Sequence, residues 1–472
     1  MLRLKIAQII LLSILLILSG LTFGNTNKYS PEGFYEVENF QLPNGLNIIL
    51  KPRGNNKTVA IYLDIGIGTS NFSCEKRETP HFLEHMLFTG TDDKNEIELE
   101  EWITSHGGYA NATTLMSSTR YEVNIYSGHI KTGLDYLYSI IDKTILSEKN
   151  FKLSREILFR EMGGKPGKIR SYLFEQNVYK SADYHLLETL GLGCSTLYSA
   201  DTVYFEDIKT AYEEFYTPVN MTLSIVGKFN PESVKEYIQL TLSKIKAGKA
   251  ASKKNYTVKE LNGPVQVDGN FSPFVSSNSN IGILFKGPEK LDNDIYPLIV
   301  LEQYLQTRLY NELRVNRGLA YRPSTSLDIL DNFSSLSLHT DIDTENIDTA
   351  LKIIGNEIYL LKSGKINPGE FQSAKKSILF RYAQGYENNS AIANYYLDNI
   401  NEFIKNGKYE NNEDHILKVK SLDLFRISNK YFIEKNKIIY IDTPTLTYNQ
   451  LYLLLLILSL VIAGFVYRII RH

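Results

Sequence analysis

Residues 81–85 read His-Phe-Leu-Glu-His. On a helix, positions i and i+4 lie on one face. The imidazoles of His81 and His85 can therefore reach one ion, with the carboxylate of Glu84 beside it. Imidazole nitrogens suit Zn²⁺, and a catalytic zinc takes three protein ligands and leaves one position for water. A carboxylate next to that water can take its proton, because the metal brings the water's pKa from 15.7 to roughly 7. Paired histidines on a helix also occur as surface or packed residues with no metal, and the pentapeptide alone does not separate the two readings.

The order His-x-x-Glu-His reverses the His-Glu-x-x-His zincin helix and has the inverzincin pattern. A third ligand has to come from another segment. The helical stretch LSREILFREM (153–162) offers Glu156 and Glu161, the latter 76 positions after His85. Both could instead be surface charges paired with Arg155 and Arg160, as such helix residues commonly are. His106 is a further side chain that could reach the ion. As a fourth ligand it would close the site and make the metal structural.

Several elements must hold these groups in place. Residues 36–50 read as two strands joined at Pro43-Asn44-Gly45, since Asn-Gly favours a hairpin turn with positive φ. A mostly apolar strand follows at 59–68, and helical spacing begins at Thr79 and runs to Phe88. Pro80 falls in the first turn, where its missing N–H costs nothing. Helices are expected at 96–106, 130–146 and 149–162, and a strand at Met221–Val226. Residues 246–262 lack apolar periodicity, are rich in small and basic residues, and read as a linker. Beyond it come strands at 281–285 and 333–341 and helices at 296–316, 347–363 and 367–386. The body is thus two mixed α/β units of similar size and similar order, with no strict repeat.

A net charge of -2 in 472 residues gives no reason to expect a nucleic-acid partner. The 32 tyrosines against a single tryptophan read as compositional bias. Cys74 and Cys194 are too few for a disulfide framework; they form either one bridge in an oxidising compartment or two unpaired small side chains. Arg3 and Lys5 precede an uncharged run from Ile6 to Phe23, so residues 1–24 read as a secretory signal or an uncleaved anchor. Leu451 to Tyr467 are seventeen residues without a charge, followed by Arg468 and Arg471. A buried terminal helix would usually carry a polar face, so 449–468 are expected to cross a membrane. The positive-inside rule puts the basic residues at both ends in the cytoplasm and the body outside it.

The chain resembles the M16 (pitrilysin/insulinase-like, mitochondrial-processing-peptidase-like) zinc metallopeptidase family. The likeness runs from about 36 to 440 through LPNGLNIIL, HFLEHMLFTGT, GGYANATT, TRYEVNIY, FYTPVNMTLSIVGKF and NELRVNRGLAYRPS. It implies an α+β fold of two similar M16-type (LuxS/MPP-like) domains, at 29–245 with the zinc site and 263–445 with an Arg/Tyr element, to which the transmembrane helix read from the terminal apolar run is added. It also implies Zn²⁺ held by His81, His85 and Glu161, with Glu84 as the base. Asn111 and Ala112 would lie on an edge strand that takes up the substrate peptide, although Asn111 read alone is an ordinary turn residue. Arg314 and Tyr321 would face a zinc across a closed chamber and stabilise the oxyanion. Many members carry a glutamate seven residues before the third ligand, where this chain has Ser154. The chain has the size of half of the longer members, which implies a homodimer or a heterodimer with a related M16 chain. The expected activity is zinc-dependent endopeptidase action on peptides or unfolded polypeptides. The apolar runs and basic residues at the two ends lead to the expectation of a single-pass protein in the cell membrane, its body on the extracytoplasmic (periplasmic) side. The competing expectation is a non-catalytic M16-like subunit, or an envelope scaffold, that binds peptides or a partner protease.

Overall fold

The computed structural model describes residues 33–54, 56–165, 167–176, 180–193, 199–251, 258–330 and 332–471. The expected signal or anchor at 1–24, part of the expected linker and Cys194 lie outside the described residues. Strands β1 (Glu38–Gln41), β2 (Asn47–Pro52), β3 (Thr58–Ile65), β4 (Tyr109–Thr114), β5 (Thr119–Tyr126) and β6 (Met221–Gly227) form one sheet in the order β1-β2-β6-β3-β5-β4. Its neighbours are antiparallel except β2 with β6. β3 shows why the sheet is covered twice. Val59, Ile61, Leu63 and Ile65 enter the first core, while Ala60 and Tyr62, pointing the other way, enter a second cluster. The helices of this half are α1 (Thr79–Leu87), α2 (Glu96–Thr104), α3 (Ile130–Asp142), α4 (Glu148–Glu161), α5 (Lys168–Glu175), α6 (Ala182–Thr189), α7 (Phe205–Phe215) and α8 (Pro231–Thr241).

Strands β7 (Val265–Val275), β8 (Asn278–Lys286), β9 (Ser324–Leu330), β10 (Phe333–Asp343) and β11 (Lys437–Leu446) form the second sheet, ordered β7-β11-β8-β10-β9. Without β1, the first sheet has the same order, and in both the first and last strands of the half pair in parallel. The structure therefore contains a topological repeat that the sequence expresses only as similar order. Helix α9 (Ile295–Leu309) follows β8 as α1 follows β3, and carries no histidine. The remaining helices are α10 (Ile347–Lys362), α11 (Pro368–Glu387), α12 (Asn389–Asp398), α13 (Ile400–Asn406), α14 (Asn412–Lys418) and α15 (Ser421–Tyr431). The helix expected over 296–316 is α-helical only to Leu309, and Tyr310–Val315 widens into a π-turn. The wider turn keeps Leu313 fully buried.

Each half sends a helix onto the other's sheet. Ile392, Ala393, Tyr396 and Leu397 of α12 pack with Ile49, Ala60, Tyr62 and Val226 of the first sheet. Ala182 and Leu186 of α6 pack with Leu284, Ile438 and Tyr440 of the second. Many of the tyrosines concentrate at the first of these junctions: Tyr62, Tyr386, Tyr396 and Tyr409 are buried there, with Tyr35, Tyr382 and Tyr395 partly buried against them. Buried Arg120 on β5 completes the junction, pairing with Asp64 at 3.0 Å and with Asp398 at 2.9 Å.

Helix α16 (Tyr448–Arg471) follows β11 with Thr447 alone between them. Its 24 residues include an apolar window of mean hydropathy 2.6 that is wholly unburied in this chain. At 1.5 Å per residue it is about 36 Å long, enough to cross a bilayer core. Cys74, left open between two readings above, is disulfide-bonded.

Candidate functional site

The motif helix α1 begins with Glu78 as its N-cap residue and Thr79-Pro80 in its first turn. Phe82, Leu83, Met86 and Leu87 are fully buried on one side. Phe82 meets Phe151 of α4 with ring centroids 4.9 Å apart, which locks the two helices together. The opposite side carries His81, Glu84 and His85, whose ligating atoms all lie within 4.8 Å of one another. Helix α4 is capped at its start by Ser147 and ends at Glu161, where Gly163 and Gly164, both at positive φ, turn the chain away. Glu161 is thereby left at the helix end with its carboxylate over the two imidazoles.

Three atoms converge. His85 Nε2 is 3.3 Å from His81 Nε2, and Glu161 Oε2 is 3.5 Å from His81 Nε2 and 3.4 Å from His85 Nε2. Ligands at roughly 2.0–2.2 Å from a tetrahedral zinc stand about 3.3–3.6 Å apart. The triangle has the dimensions of three corners of such a site, and its donor set of two imidazoles and one carboxylate is one that zinc accepts. His81 Nδ1 lies 3.0 Å from Glu78 Oε2. With the proton on that nitrogen, Nε2 presents a bare lone pair to its neighbours. Burial by itself would lower the His81 pKa, but the Glu78 hydrogen bond and the charges of Glu84, Glu78 and Glu161 outweigh it and hold the imidazole above its ordinary value.

Glu84 points toward the sheet. Thr114, the last residue of edge strand β4, donates its hydroxyl to Glu84 Oε2 at 2.5 Å. Beneath lie the buried phenols of Tyr121 and Tyr216, 2.8 Å apart. Burial holds both well above the usual phenol range, with the Glu84 charge adding to the effect, so they stay neutral. Asn111 and Ala112 sit on β4, opposite Glu122 and Tyr121 of β5. Among the described residues no strand covers the outer side of β4, so that side of the strand is left as a sheet edge.

Arg314 and Tyr321 lie together on the second half. The Arg314 guanidinium donates to the Tyr321 carbonyl at 2.6 Å and stands 4.7 Å from its ring, and Tyr321 is 79% exposed. Among the described residues, neither is joined by a hydrogen bond or ion pair to the histidine cluster. His106 bonds to the Trp102 carbonyl at 2.7 Å and meets the His129 ring edge-on, so these contacts lie away from the cluster. Glu156 is exposed, and the guanidinium of Arg155 is taken by the Val203 carbonyl. Ser154 is fully buried.

Two side chains here escaped the sequence reading, Glu78 and Thr114. Glu78 had a usable signal, since it stands three residues before His81 and one turn along the same helix face. Thr114 had none, because its partner is thirty positions away on another element.

Comparison with known proteins agrees with the fold. The family description "Insulinase (Peptidase family M16)" matches residues 47–180, and "Peptidase M16 inactive domain" matches 202–378. The "Uncharacterized zinc protease YmxG" of Bacillus subtilis is 24% identical over 353 residues, covering 72% of this chain and 82% of that protein. A crystal structure of a protease from Helicobacter pylori superposes with a TM-score of 0.74 at 20% identity, over 87% of this chain and all of that one (100%). The periplasmic protease PqqL of Escherichia coli superposes with a TM-score of 0.69 at 14% identity, over 86% of this chain but 45% of that one. The chain belongs to the M16 peptidase family, and its two halves are the two M16-type domains.

Proposed function

We propose that this chain is a zinc-dependent endopeptidase acting on peptides or unfolded polypeptides outside the cytoplasm. The observation that carries the reading is the triangle of His81 Nε2, His85 Nε2 and Glu161 Oε2, with sides of 3.3–3.5 Å. Zinc held by these three residues would supply Lewis acidity, making water acidic enough to be activated near neutral pH and polarising the scissile carbonyl. Glu84 takes the proton from the attacking water and returns it to the leaving amine. Thr114 fixes the carboxylate for that work. An extended substrate adds to β4 beside Asn111 and Ala112 through main-chain hydrogen bonds. Half-buried Arg314 and exposed Tyr321, which make no bond to their own chain's cluster among the described residues, serve a second copy or a related M16 chain by donating to the developing oxyanion. Helix α16 holds the protein in the membrane as a single span. The disulfide at Cys74 supports an oxidising, extracytoplasmic compartment for the body.

The test uses the full chain purified in detergent, zinc counted per chain, and a quenched library of unstructured peptides. The expected result is one zinc per chain in the wild type and in Glu84→Gln. Cleavage should fall by roughly 10²–10⁴-fold in the variant, the usual contribution of a general base. His85→Ala should lose the metal. Zinc without cleavage in the wild type would instead favour the non-catalytic subunit, whose partner would then be sought.

A further inference from the structure

We infer that Glu78 is the residue that orients His81 for metal binding, a positioning carboxylate built into the first turn of the motif helix. The inference rests on the zinc reading above and assigns a residue to it. A metal-bound histidine generally donates its second ring N–H to a carboxylate or carbonyl, which fixes the tautomer and raises the basicity of the ligating nitrogen. Among the described residues, Glu78 is the one carboxylate bonded to the Nδ1 of either histidine, at 3.0 Å.

The local sequence directs Glu78 to this task. An N-cap side chain ordinarily accepts from the backbone N–H of the second or third helical residue. Here the second is Pro80, which has no N–H, and the third is His81. The Glu78 side chain makes no capping bond and reaches the His81 ring instead. Its backbone carbonyl still accepts from Phe82 N–H at 2.9 Å, so the turn is held while the carboxylate is free to serve the imidazole. The glutamate side chain is only 18% exposed and the histidine 26%, which limits competition from water.

The experiment strips the full chain of metal in detergent and titrates it with zinc against a chelator of known affinity. Glu78→Met keeps the length of the side chain and removes the acceptor, while Glu78→Gln keeps an acceptor oxygen. Glu78→Met should weaken zinc binding by roughly 10–100-fold, the usual effect of losing such a partner. Glu78→Gln should stay within a few-fold of wild type, and the melting temperature of the metal-free chain should be unchanged in both. If Glu78→Met lowers that melting temperature, Glu78→Ala replaces it as the acceptor-free variant. Wild-type affinity in the acceptor-free variant overturns the assignment and leaves the zinc reading standing. Equal losses in the acceptor-free variant and in Glu78→Gln also overturn it, since an acceptor alone would then not suffice. A wild type that binds no zinc overturns both.

Discussion

Glu84 accepts a short hydrogen bond from Thr114, and that bond joins the proposed base to the strand proposed to receive substrate. Hydrogen bonds to charged groups contribute about 1.5–3 kcal/mol, or roughly one to two decades in rate. Thr114→Val keeps the shape and removes the donor. It should lower kcat by about tenfold or more with zinc content unchanged, as read by steady-state kinetics and metal analysis. Full activity in this variant would mean that Glu84 is positioned by other contacts. The histidines and Glu84 were legible in the sequence because a helix brings i, i+3 and i+4 together with no help from the rest of the chain. Glu161 needed the family likeness: its helix carries Glu148, Glu156 and Glu161, and which of them stands over the imidazoles depends on how that helix packs against the motif helix, where Phe151 meets Phe82.

Helices and strands decide how closely α1 approaches the edge strand. The loop leading into α1 is pinned to the β4–β5 turn, with Thr69 N–H donating to the Leu115 carbonyl and Ser70 N–H to that of Met116. Gly68 makes this contact feasible, because a Cβ there would fall 2.5 Å from the Met116 carbonyl carbon and oxygen. Backbone cannot step aside as a flexible side chain can. Gly68→Ala should therefore cost about 1–3 kcal/mol of stability, in the range of overpacked sites, and should lower peptidase rate by displacing α1 from β4. Urea denaturation and a rate measurement check the pair of effects, and an unaltered midpoint would show that the turn yields freely. β3 and the motif helix were readable from apolar periodicity. β4 was not, since YANATT is polar and small, and it is a strand because β5 pairs with it. The topological repeat was also hidden, because sheet order depends on pairings between distant segments.

At the scale of the whole molecule, the two halves are interlocked by the exchange of α6 and α12. The tyrosines that read as compositional bias are the material of one of those joints. Helix exchange leaves no mark on a single sequence, because the apolar faces of α6 and α12 look like any helix face until their distant partners are known. Arg120 is the polar pin of the junction, and its loss would strand Asp64 in a buried setting. Arg120→Ala should destabilise the chain by about 3 kcal/mol, the low end for a broken buried pair, because Asp64 keeps some contact with water. Thermal and urea unfolding measure this, and a change below about 0.5 kcal/mol would show the pair to be energetically neutral, as surface pairs often are.

The joint between β11 and α16 has a mechanical consequence. A flexible tether of n residues lets a tethered body wander about 5–6 Å × √n from its anchor. Here a single residue intervenes, and it is itself engaged: Thr447 N–H donates to Gln450 and Thr447 Oγ accepts from Gln450 N–H, while the Leu446 carbonyl accepts from Ser276 N–H. Helix and sheet therefore behave as a mast and its head. With so short and bonded a joint, a tilt of the helix would be passed to the body that carries the cluster on α1. With α16 as the proposed membrane span, the proposed substrate chains would have to come to the body close to the bilayer surface.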